Sequence, residues 1–496
     1  MACTPVSRGS YSAVRVLMLS WEYPPRIIGG ISTHVYHLSK SLVRKGIGVH
    51  VLTFDFPNTQ FQEVIDGVRI SRVESSSVSQ TDFLLWIYSM NSLMIERGKE
   101  LLRDQMFDLV HAHDWMVGRA ALELNKSSGI PLVTTVHATE IGRRAGLYDD
   151  YQRKIHEIEQ LLIQYSEEVI CCSQYMLSHL KVNFGANPNK ISVVPNAVDI
   201  SRFNSETNDG RELGQKLGPG VRLAEMVVLY VGRLVEEKGL HTLIEAFEML
   251  NHDNVSATLI IVGEGPIKED LTAEVRKRGL QGVIHIIGFV DEAMLIALYR
   301  SSNIFVLPSV YEPFGIAVLE AMASRIPVVV SDVGGLSEIV EHGLTGLKFQ
   351  PSDPVSLAAS IRRLLEEGSL ARELTQNAYR MLAEKYSWDV AAERTLRVYE
   401  RASTEILKFG AVPDEHFLTD TSLTSLLFTL GATNGKNAMS LGEIADVVKA
   451  PGLPLKLILG KLSSHGYLVN LLDPDSNEVR YHLSDKGIVK ACARFS

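Results

Sequence analysis

The chain has 496 residues, which is too long for one ordinary domain core, so at least two domains are expected. Hydrophobic residues make up 46%, charged residues 22%, and the formal net charge is -9, which suits a soluble globular protein and does not favour general polyanion binding. The cysteines have neither metal-site nor disulfide-framework spacing, as is typical of reduced cysteines in a cytoplasmic protein: Cys3, Cys171, Cys172 and Cys492. The first apolar run, Val14 to Leu19, is too short to span a membrane or to act as a signal peptide, so no membrane insertion is expected.

Residues 1–200 alternate between apolar runs and helical patterns. Val14 to Leu19 is predicted to be a buried strand, and a glycine turn then leads into a helix near Ile31. Further strands are predicted at Gly48 to Phe54, Phe107 to Ala112, Leu132 to His137, Glu168 to Cys172 and Ile191 to Val194. Apolar runs of this kind indicate parallel strands covered on both faces, and therefore a Rossmann-like domain.

Residues 201–409 repeat the alternation after a segment rich in Asn, Ser and Gly, 199–220, which is predicted to be the interdomain linker. Strands are predicted at Met226 to Val231, Ala257 to Val262, Val283 to Ile287, Ile304 to Leu307 and Ile326 to Val330. Helix-length segments separate them, which again predicts a doubly wound sheet. The predicted fold class is α/β, with two Rossmann-like domains that face each other across a cleft.

Residues 410–496 differ from both series and are predicted to form a small winged-helix-like domain. Helices are predicted from Ser440 and over Pro454 to His465, followed by strands at Gly466 to Val469 and Val479 to Leu483. From Glu415 onward the tail has eight acidic and eight basic residues, so its net charge is zero (8 minus 8). A DNA-binding domain normally has a basic face, so a protein partner or a second copy of the chain is favoured over nucleic acid.

The segment 311–320, Tyr-Glu-Pro-Phe-Gly-Ile-Ala-Val-Leu-Glu, has carboxylates at both ends of a predicted strand-to-helix junction. Proline suits the first turn of the helix, and Gly315 lets a ligand approach backbone N–H groups. Ligands of open α/β sheets bind at strand carboxyl ends, and Glu312 and Glu320 would lie about 12 Å apart along a helix. They could then contact different parts of one long ligand. The alternative is that Glu312 caps the helix and Glu320 faces solvent.

Cations and glycines lie at other predicted strand ends. Arg233 and Lys238 could both contact one diphosphate and stabilise it as a leaving group. Gly29 and Gly30 precede a helix, and Gly263 follows a strand, so a ligand could come close to the backbone at either place. The alternatives are surface charges for the cations and plain tight turns for the glycines.

Histidines and an aspartate follow two strands of the first domain. His111 and His113 alternate sides of one strand, and no close ligand set completes them, so no metal site is predicted there. If the diphosphate belongs to a sugar donor, His137 is expected to hydrogen-bond the donor sugar, and Asp114 to hold the acceptor of that sugar or the local loop. The Asp-x-Asp at 473–475 is predicted to be a hairpin turn, so a metal-dependent grip on a diphosphate is not supported.

Together these motifs resemble the retaining glycosyltransferases of GT-B fold, glycosyltransferase family 4, which include glycogen and starch synthase-like enzymes. The resemblance covers about residues 14 to 405, and its matching elements are Glu312-x7-Glu320, Gly232-Arg233-x4-Lys238-Gly239, Gly29-Gly30, His111-Ala-His113-Asp114-Trp115 and His137. One position departs from the pattern. Glycogen synthases carry Lys-x-Gly-Gly in the first loop, whereas Ile27 occupies the lysine position here and Arg26 lies one residue away.

The resemblance implies a metal-independent hexosyltransferase that moves a hexosyl group, expected to be α-glucosyl, with retention at the anomeric carbon. The donor would be a nucleoside diphosphate sugar such as UDP- or ADP-glucose, the acceptor a glucan or a small sugar, and no cofactor is expected. By the same resemblance the first domain binds the acceptor, the second binds the donor, and the last helix, 388–407, packs back on the first domain.

The resemblance also assigns roles to single residues. Arg233 and Lys238 would hold the diphosphate. The ribose and sugar contacts would come from Glu320 for the ribose, from Glu312, Phe314 and Gly315 for the donor sugar, and from His137 across the cleft. Two alternatives stay open: a regulatory protein that binds nucleotide sugars and has an interacting or DNA-binding tail, and a transferase for a lipid or sugar-phosphate acceptor.

Overall fold

The computed structural model describes residues 14–74, 83–203 and 224–409, and in the tail residues 438–441, 443–444, 459, 462–463, 468–472 and 479–484. Two α/β units account for most of the described chain, and the predicted pair of Rossmann-like domains is confirmed. Cys171 and Cys172 are buried and free, and their reduced state stays a prediction. No helix in the described ranges has both the length and the apolar character needed to cross a bilayer.

The first sheet has eight strands in the order β3-β4-β2-β1-β5-β6-β7-β8. Their bounds are β1 Arg15–Leu19, β2 Gly48–Phe54, β3 Gln62–Ile65, β4 Val68–Val73, β5 Leu109–His113, β6 Leu132–Val136, β7 Glu168–Cys171 and β8 Ile191–Val193. Only β3 and β4 pair antiparallel. This hairpin was not predicted, although the dipeptide Asp66-Gly67 at its turn is a common hairpin signal, and both residues have positive φ.

The second sheet has six parallel strands in the order β11-β10-β9-β12-β13-β14. Their bounds are β9 Met226–Val231, β10 Ala257–Val262, β11 Ile284–Gly288, β12 Ile304–Leu307, β13 Val328–Ser331 and β14 Leu347–Phe349. The short strand β14 was not predicted. The other five agree with the prediction to within two residues at each end, because each has an apolar run, which is buried on both faces in all but the edge strand β11.

Helices cover both faces of the two sheets. In the first domain they are α1 Gly30–Arg44, α2 Phe83–Asp104, α3 Gly118–Ser128, α4 Glu140–Arg144, α5 Asp150–Tyr165 and α6 Gln174–Phe184. In the second they are α7 Leu240–His252, α8 Lys268–Lys277, α9 Glu292–Ser301, α10 Ile316–Ala323, α11 Leu336–Ile339, α12 Pro354–Glu366 and α13 Gly368–Lys385. The last helix, α14 Trp388–Phe409, lies against α1, β6 and β7, so it completes the first domain's core although it follows the second domain in sequence.

Strand order places the loops that matter for ligand binding. In the first sheet β1 lies between β2 and β5, and in the second β9 lies between β10 and β12. Chain connections leave each of these strands in opposite directions, which opens a crevice at the carboxyl ends of the strands. The crevices are therefore bordered by the loops after β1 and β5 and by the loops after β9 and β12.

The described part of the tail forms a three-stranded antiparallel sheet. Its strands are β15 Met439–Ser440, β16 Leu468–Leu472 and β17 Val479–Leu483, in the order β15-β17-β16. The two predicted tail helices and the turn at 473–475 lie largely outside the described residues. The winged-helix domain therefore stays a prediction.

Candidate active site

The loop after β12 carries Glu312, and α10 begins only at Ile316. Gly315 is the residue before the helix and has φ 113°, a conformation that favours glycine. The predictions that Pro313 lies in the first helical turn and that one helix carries both glutamates were therefore wrong. Glu312 lies in the loop and Glu320 on the helix, and the N–H groups at the start of α10 have no partner within the helix.

A glycine pair that the sequence analysis missed supports this loop. The Gly335 N–H donates to the Glu312 carbonyl at 2.9 Å, and a Cβ on Gly334 would collide with the same carbonyl oxygen. From the first domain, Ser173 Oγ donates to the Pro313 carbonyl at 2.7 Å. Both domains thus hold the backbone of this loop, and these contacts do not involve the Glu312 carboxylate.

Glu312 pairs with Lys238. The Lys238 Nζ to Glu312 Oε2 distance is 2.6 Å, and the two side chains are 15% and 10% exposed. Ser309 Oγ also donates to Oε2, at 3.2 Å. Gly239 allows the close approach of the two loops, because it has φ 65° and a Cβ there would collide with the Pro308 carbonyl. The structure therefore brings together two of the predicted site residues from the ends of adjacent strands.

Arg233 lies in the same loop as Lys238 but faces the first domain. Its guanidinium is 3.4 Å from Glu237 Oε1 and about half exposed, and the Arg233 carbonyl accepts from the buried Tyr230 hydroxyl at 2.9 Å. Burial raises the pKa of two first-domain carboxyls, Glu22 and Asp114, and the positive charge of Arg233 opposes that rise. Arg233 therefore adds a cation on the side of the second domain that faces the first.

Glu320 lies further along α10 in a different environment. The Tyr299 hydroxyl donates to Glu320 Oε2 at 3.0 Å. Burial raises the pKa of the Glu320 carboxyl, and the charge of Arg202 opposes that rise. Glu312 and Glu320 thus lie in different surroundings, one in the loop and one on the helix, and their contact with separate parts of one ligand stays a prediction.

Gly263 has a structural reason to be glycine. Its φ is 142°, a Cβ would collide with the Gly232 carbonyl, and its N–H donates to Gly288 at 2.9 Å. This N–H is therefore not available to a ligand, and what Gly263 provides is the close packing of the loops after β9 and β10. Its contact with a substrate stays a prediction.

On the first-domain side, Asp114 fixes the loop that carries His137. Asp114 has φ 62°, and its Oδ1 accepts from the His137 N–H at 2.7 Å. Burial raises the pKa of Asp114 to about 6, although the nearby Arg143 guanidinium, 3.8 Å from Oδ2, opposes the rise. Burial, aided by Arg143, lowers the pKa of His137 to about 3, so its imidazole is neutral at pH 7.

His137 also belongs to a group of three histidines with His34 and His113. One ligand atom from each lies within 4.8 Å of the others, the only such group of potential metal ligands in the part of the chain that the structure describes. His111 is directed elsewhere, with ring nitrogens 2.8 Å from the Tyr399 hydroxyl and 2.8 Å from Thr135 Oγ1. The expectation that no close set of metal ligands includes His113 was wrong, because His34, which lies on α1, is close to both His113 and His137.

The glycine loop after β1 is organised by Glu22, which the sequence analysis did not assign to the site. The buried Glu22 carboxylate accepts from the N–H groups of Ile28 at 2.6 Å and Gly29 at 3.0 Å. The Gly29 N–H is therefore already paired. A Cβ on Gly30 would lie 3.3 Å from Ile316 Cδ1, so the small Gly30 lets the start of α1 approach the start of α10 across the cleft.

Arg26 does not take the place of the lysine found in glycogen synthases. Its guanidinium lies 5.6 Å from the Trp21 ring centre, 5.9 Å from that of Phe54 and 5.5 Å from that of Trp86. Cation–π contacts of this kind hold it in the first domain's aromatic core. The loop after β1 therefore presents no lysine or arginine between Ile27 and Gly30 to a ligand.

Two family models match the chain: Glycosyltransferase Family 4 over residues 28–202, and Glycosyl transferases group 1 over residues 219–381. The chain is 36% identical to glycogen synthase of Mycobacterium tuberculosis over 401 residues, which is 78% of this chain and 94% of that protein. The chain belongs to glycosyltransferase family 4. This family 4 chain is also 36% identical to an uncharacterized glycosyltransferase of Methanocaldococcus jannaschii, over 78% of this chain and 98% of the relative.

The solved structures agree with this assignment at the level of the fold. Sucrose-phosphate synthase from Thermosynechococcus elongatus superposes with a TM-score of 0.69 at 24% identity, covering 78% of this chain and 98% of that one. The family 4 chain thus has the GT-B fold and is a glycosyltransferase, and the predictions of family, fold and enzyme class are confirmed.

Proposed function

We propose that this family 4 enzyme transfers a glucosyl group from a nucleoside diphosphate glucose to a glucan or small sugar, with retention at the anomeric carbon and without a metal ion. The observation that carries the proposal is the set of residues at the β9–β12 crevice, where Lys238 and Glu312 pair beside Arg233. Parallel α/β sheets bind nucleotides at such crevices. The first-domain loop with His137 faces this set from the other side of the cleft.

The diphosphate needs positive charge where the leaving group develops negative charge. Lys238 and Arg233 supply two fixed cations, and the start of α10 supplies N–H groups and the positive end of a helix dipole. A bound diphosphate would share Lys238 with Glu312. The glutamate carboxylate would then be available to accept hydrogen bonds from hydroxyls of the donor sugar, next to the backbone at Phe314 and Gly315.

The ribose is assigned to Glu320. A carboxylate can accept from both ribose hydroxyls, and the Tyr299 hydroxyl at 3.0 Å orients it. His137 is assigned to the donor sugar from the opposite wall, since a neutral imidazole can both donate and accept. Front-face attack, in which the leaving diphosphate accepts the proton of the incoming hydroxyl, needs no protein nucleophile and suits a site with paired cations.

For the acceptor we favour a neutral carbohydrate over a sugar phosphate. The glycogen synthase relative supports a glucan. The loop after β1 offers no free cation to an anionic acceptor, because Arg26 is held between aromatic rings. A lipid or sugar-phosphate acceptor is the competing hypothesis. A cytoplasmic location and a protein partner or second copy at the tail stay predictions.

Purified protein should be tested against UDP-, ADP- and GDP-sugars with glucans and small sugars, in the presence of EDTA, with the product anomer assigned by NMR. We expect α-linked product from a glucose donor and no loss of rate with EDTA. Lys238→Ala and Glu312→Ala should each reduce kcat/KM by about 100-fold or more. Lys99→Ala, in an exposed pair with Glu123, is the control that should keep full activity.

Three results would overturn parts of the proposal. A β-linked product would exclude retention, and full activity of both site variants would exclude the assigned site. Donor binding without turnover, for every acceptor tried, would favour a nucleotide-sugar-binding regulatory protein instead.

A further inference from the structure

The three histidines described above have the spacing of a metal site. The ring centres are 5.3 Å apart for His34 and His113, 4.7 Å for His34 and His137, and 5.4 Å for His113 and His137. Zinc binds imidazole nitrogen at about 2.0 to 2.1 Å, and tetrahedral angles then put the ring centres of two ligands about 5 Å apart. Ion binding would therefore require little movement of the rings.

The hydrogen bonds of His34 leave one ring nitrogen ready to act as a ligand. His34 Nδ1 lies 2.6 Å from Asn196 Oδ1, and because an amide oxygen can only accept, Nδ1 carries the proton. The lone pair is then on Nε2, which is buried and has no hydrogen-bond partner among the described residues. An outer polar group that fixes the tautomer in this way is typical of histidine ligands to metals.

His113 supplies a second unpaired nitrogen. Its Nε2 is also buried without a hydrogen-bond partner in the described ranges, and its Nδ1 lies 3.1 Å from His137 Nε2. A neutral imidazole has one lone pair, so a cation held by both His113 and His137 would replace the hydrogen bond between His113 Nδ1 and His137 Nε2. It would also offset the cost, about 1 to 3 kcal/mol, of leaving the buried Nε2 of His34 unpaired. His137 is less buried than the other two and gives the group its access to the cleft.

We propose that His34, His113 and His137 form a binding site for a transition-metal ion such as Zn²⁺, and that the bound ion inhibits sugar transfer. Three protein ligands leave a fourth position for water. An ion on His137 removes the ring nitrogen that would contact the donor sugar. The binding site stands on geometry alone, whereas the inhibition rests on the proposed role of His137.

Binding is tested by titrating the metal-free full-length protein with Co²⁺, whose visible absorption reports tetrahedral nitrogen coordination. We expect one equivalent to bind and Zn²⁺ to displace it. His34→Gln should weaken binding by more than about 100-fold, a larger loss than for an outer partner of a ligand. His37→Gln, on the same helix but stacked on Trp388, is the matched control and should bind as the wild type does.

Circular dichroism and thermal unfolding of the His34→Gln protein would show that loss of binding is not loss of fold. Absence of cobalt absorption in the wild type, or equal absorption in the His34→Gln protein, would overturn the site. These measurements need no transferase activity, so they do not depend on the function proposed above.

Inhibition is tested with Zn²⁺ in the transfer assay. We expect Zn²⁺ to reduce wild-type turnover at least tenfold, EDTA to restore it, and His34→Gln to stay active in Zn²⁺. Cobalt binding at the histidines with undiminished turnover would overturn the inhibition and count against the contact of His137 with the donor sugar, while the metal site itself would stand.

Discussion

The pair between Lys238 and Glu312 should couple the stability of the two loops that follow β9 and β12. At 2.6 Å the direct attraction is large, about 6 kcal/mol for an effective dielectric constant of 20, but desolvation offsets much of it. Breaking a fully buried pair from one side costs about 3 to 5 kcal/mol. Because these side chains keep 15% and 10% exposure, we expect Lys238→Met to lower the free energy of unfolding by about 2 to 3 kcal/mol.

The measurement is a double-mutant cycle in urea, which does not screen charges as a salt would. Glu312→Gln should cost less than Lys238→Met, because an amide oxygen can still accept from Lys238 and from Ser309 Oγ. The double variant should be more stable than the sum of the two single effects predicts, by about 1 to 2 kcal/mol.

A matched exposed pair provides the control for this cycle. Lys99 and Glu123 are 2.9 Å apart but 44% and 41% exposed, so Lys99→Met with Glu123→Gln should show a coupling below about 1 kcal/mol. Additive effects at Lys238 and Glu312, or equal couplings in the two cycles, would refute the argument that burial makes the Lys238–Glu312 pair strong.

Two further predictions concern backbone conformation and pH. Gly263→Ala should lower the free energy of unfolding by at least about 1 kcal/mol, because φ is 142° and the Cβ would collide with the Gly232 carbonyl. Gly282→Ala is the control, since a Cβ there has free space and should change the stability little. Thermal unfolding of both variants measures the difference. Burial raises the pKa of Glu159 from 4.5 to about 8. Between these two pH values the folded state keeps a proton on Glu159 that the unfolded state has released. The stability that this proton contributes is therefore lost as pH rises from about 4.5 to 8. Glu159→Gln should therefore flatten the pH dependence of the unfolding free energy, measured in urea, over that range. The exposed variant Glu157→Gln is the control, and an equal pH dependence in the two variants would contradict the raised pKa of Glu159.

Sequence patterns predicted most strands of both large sheets because these strands are largely apolar runs. The strands β9, β10 and β12 have the predicted bounds, and the residues that follow them carry the site motifs. Three strands of these sheets were missed: β3, β4 and β14. Gln62–Ile65 is half exposed, Val68–Val73 is interrupted by arginine and serine, and Leu347–Phe349 has only three residues, so none has a strong apolar signal.

The start of α10 shows where local rules fail. Proline at 313 and glycine at 315 suggested a helix from Pro313, yet the chain enters the helix only at Ile316. The loop instead takes its shape from the Gly334–Gly335 pair and from Ser173 in the other domain. Contacts from distant segments overrode the local preference of the sequence.

The sequence by itself determined the family, the α/β fold and the positions of the charged motifs at strand ends, because these depend on residue order and local periodicity. Only the tertiary structure decided which of these groups meet. Strand order brought Lys238 to Glu312, and the packing of α1 brought His34 to Asn196, 162 positions away, and to the histidines at the ends of β5 and β6. Contacts of this kind depend on the packing of whole elements, which hydrophobic periodicity does not specify.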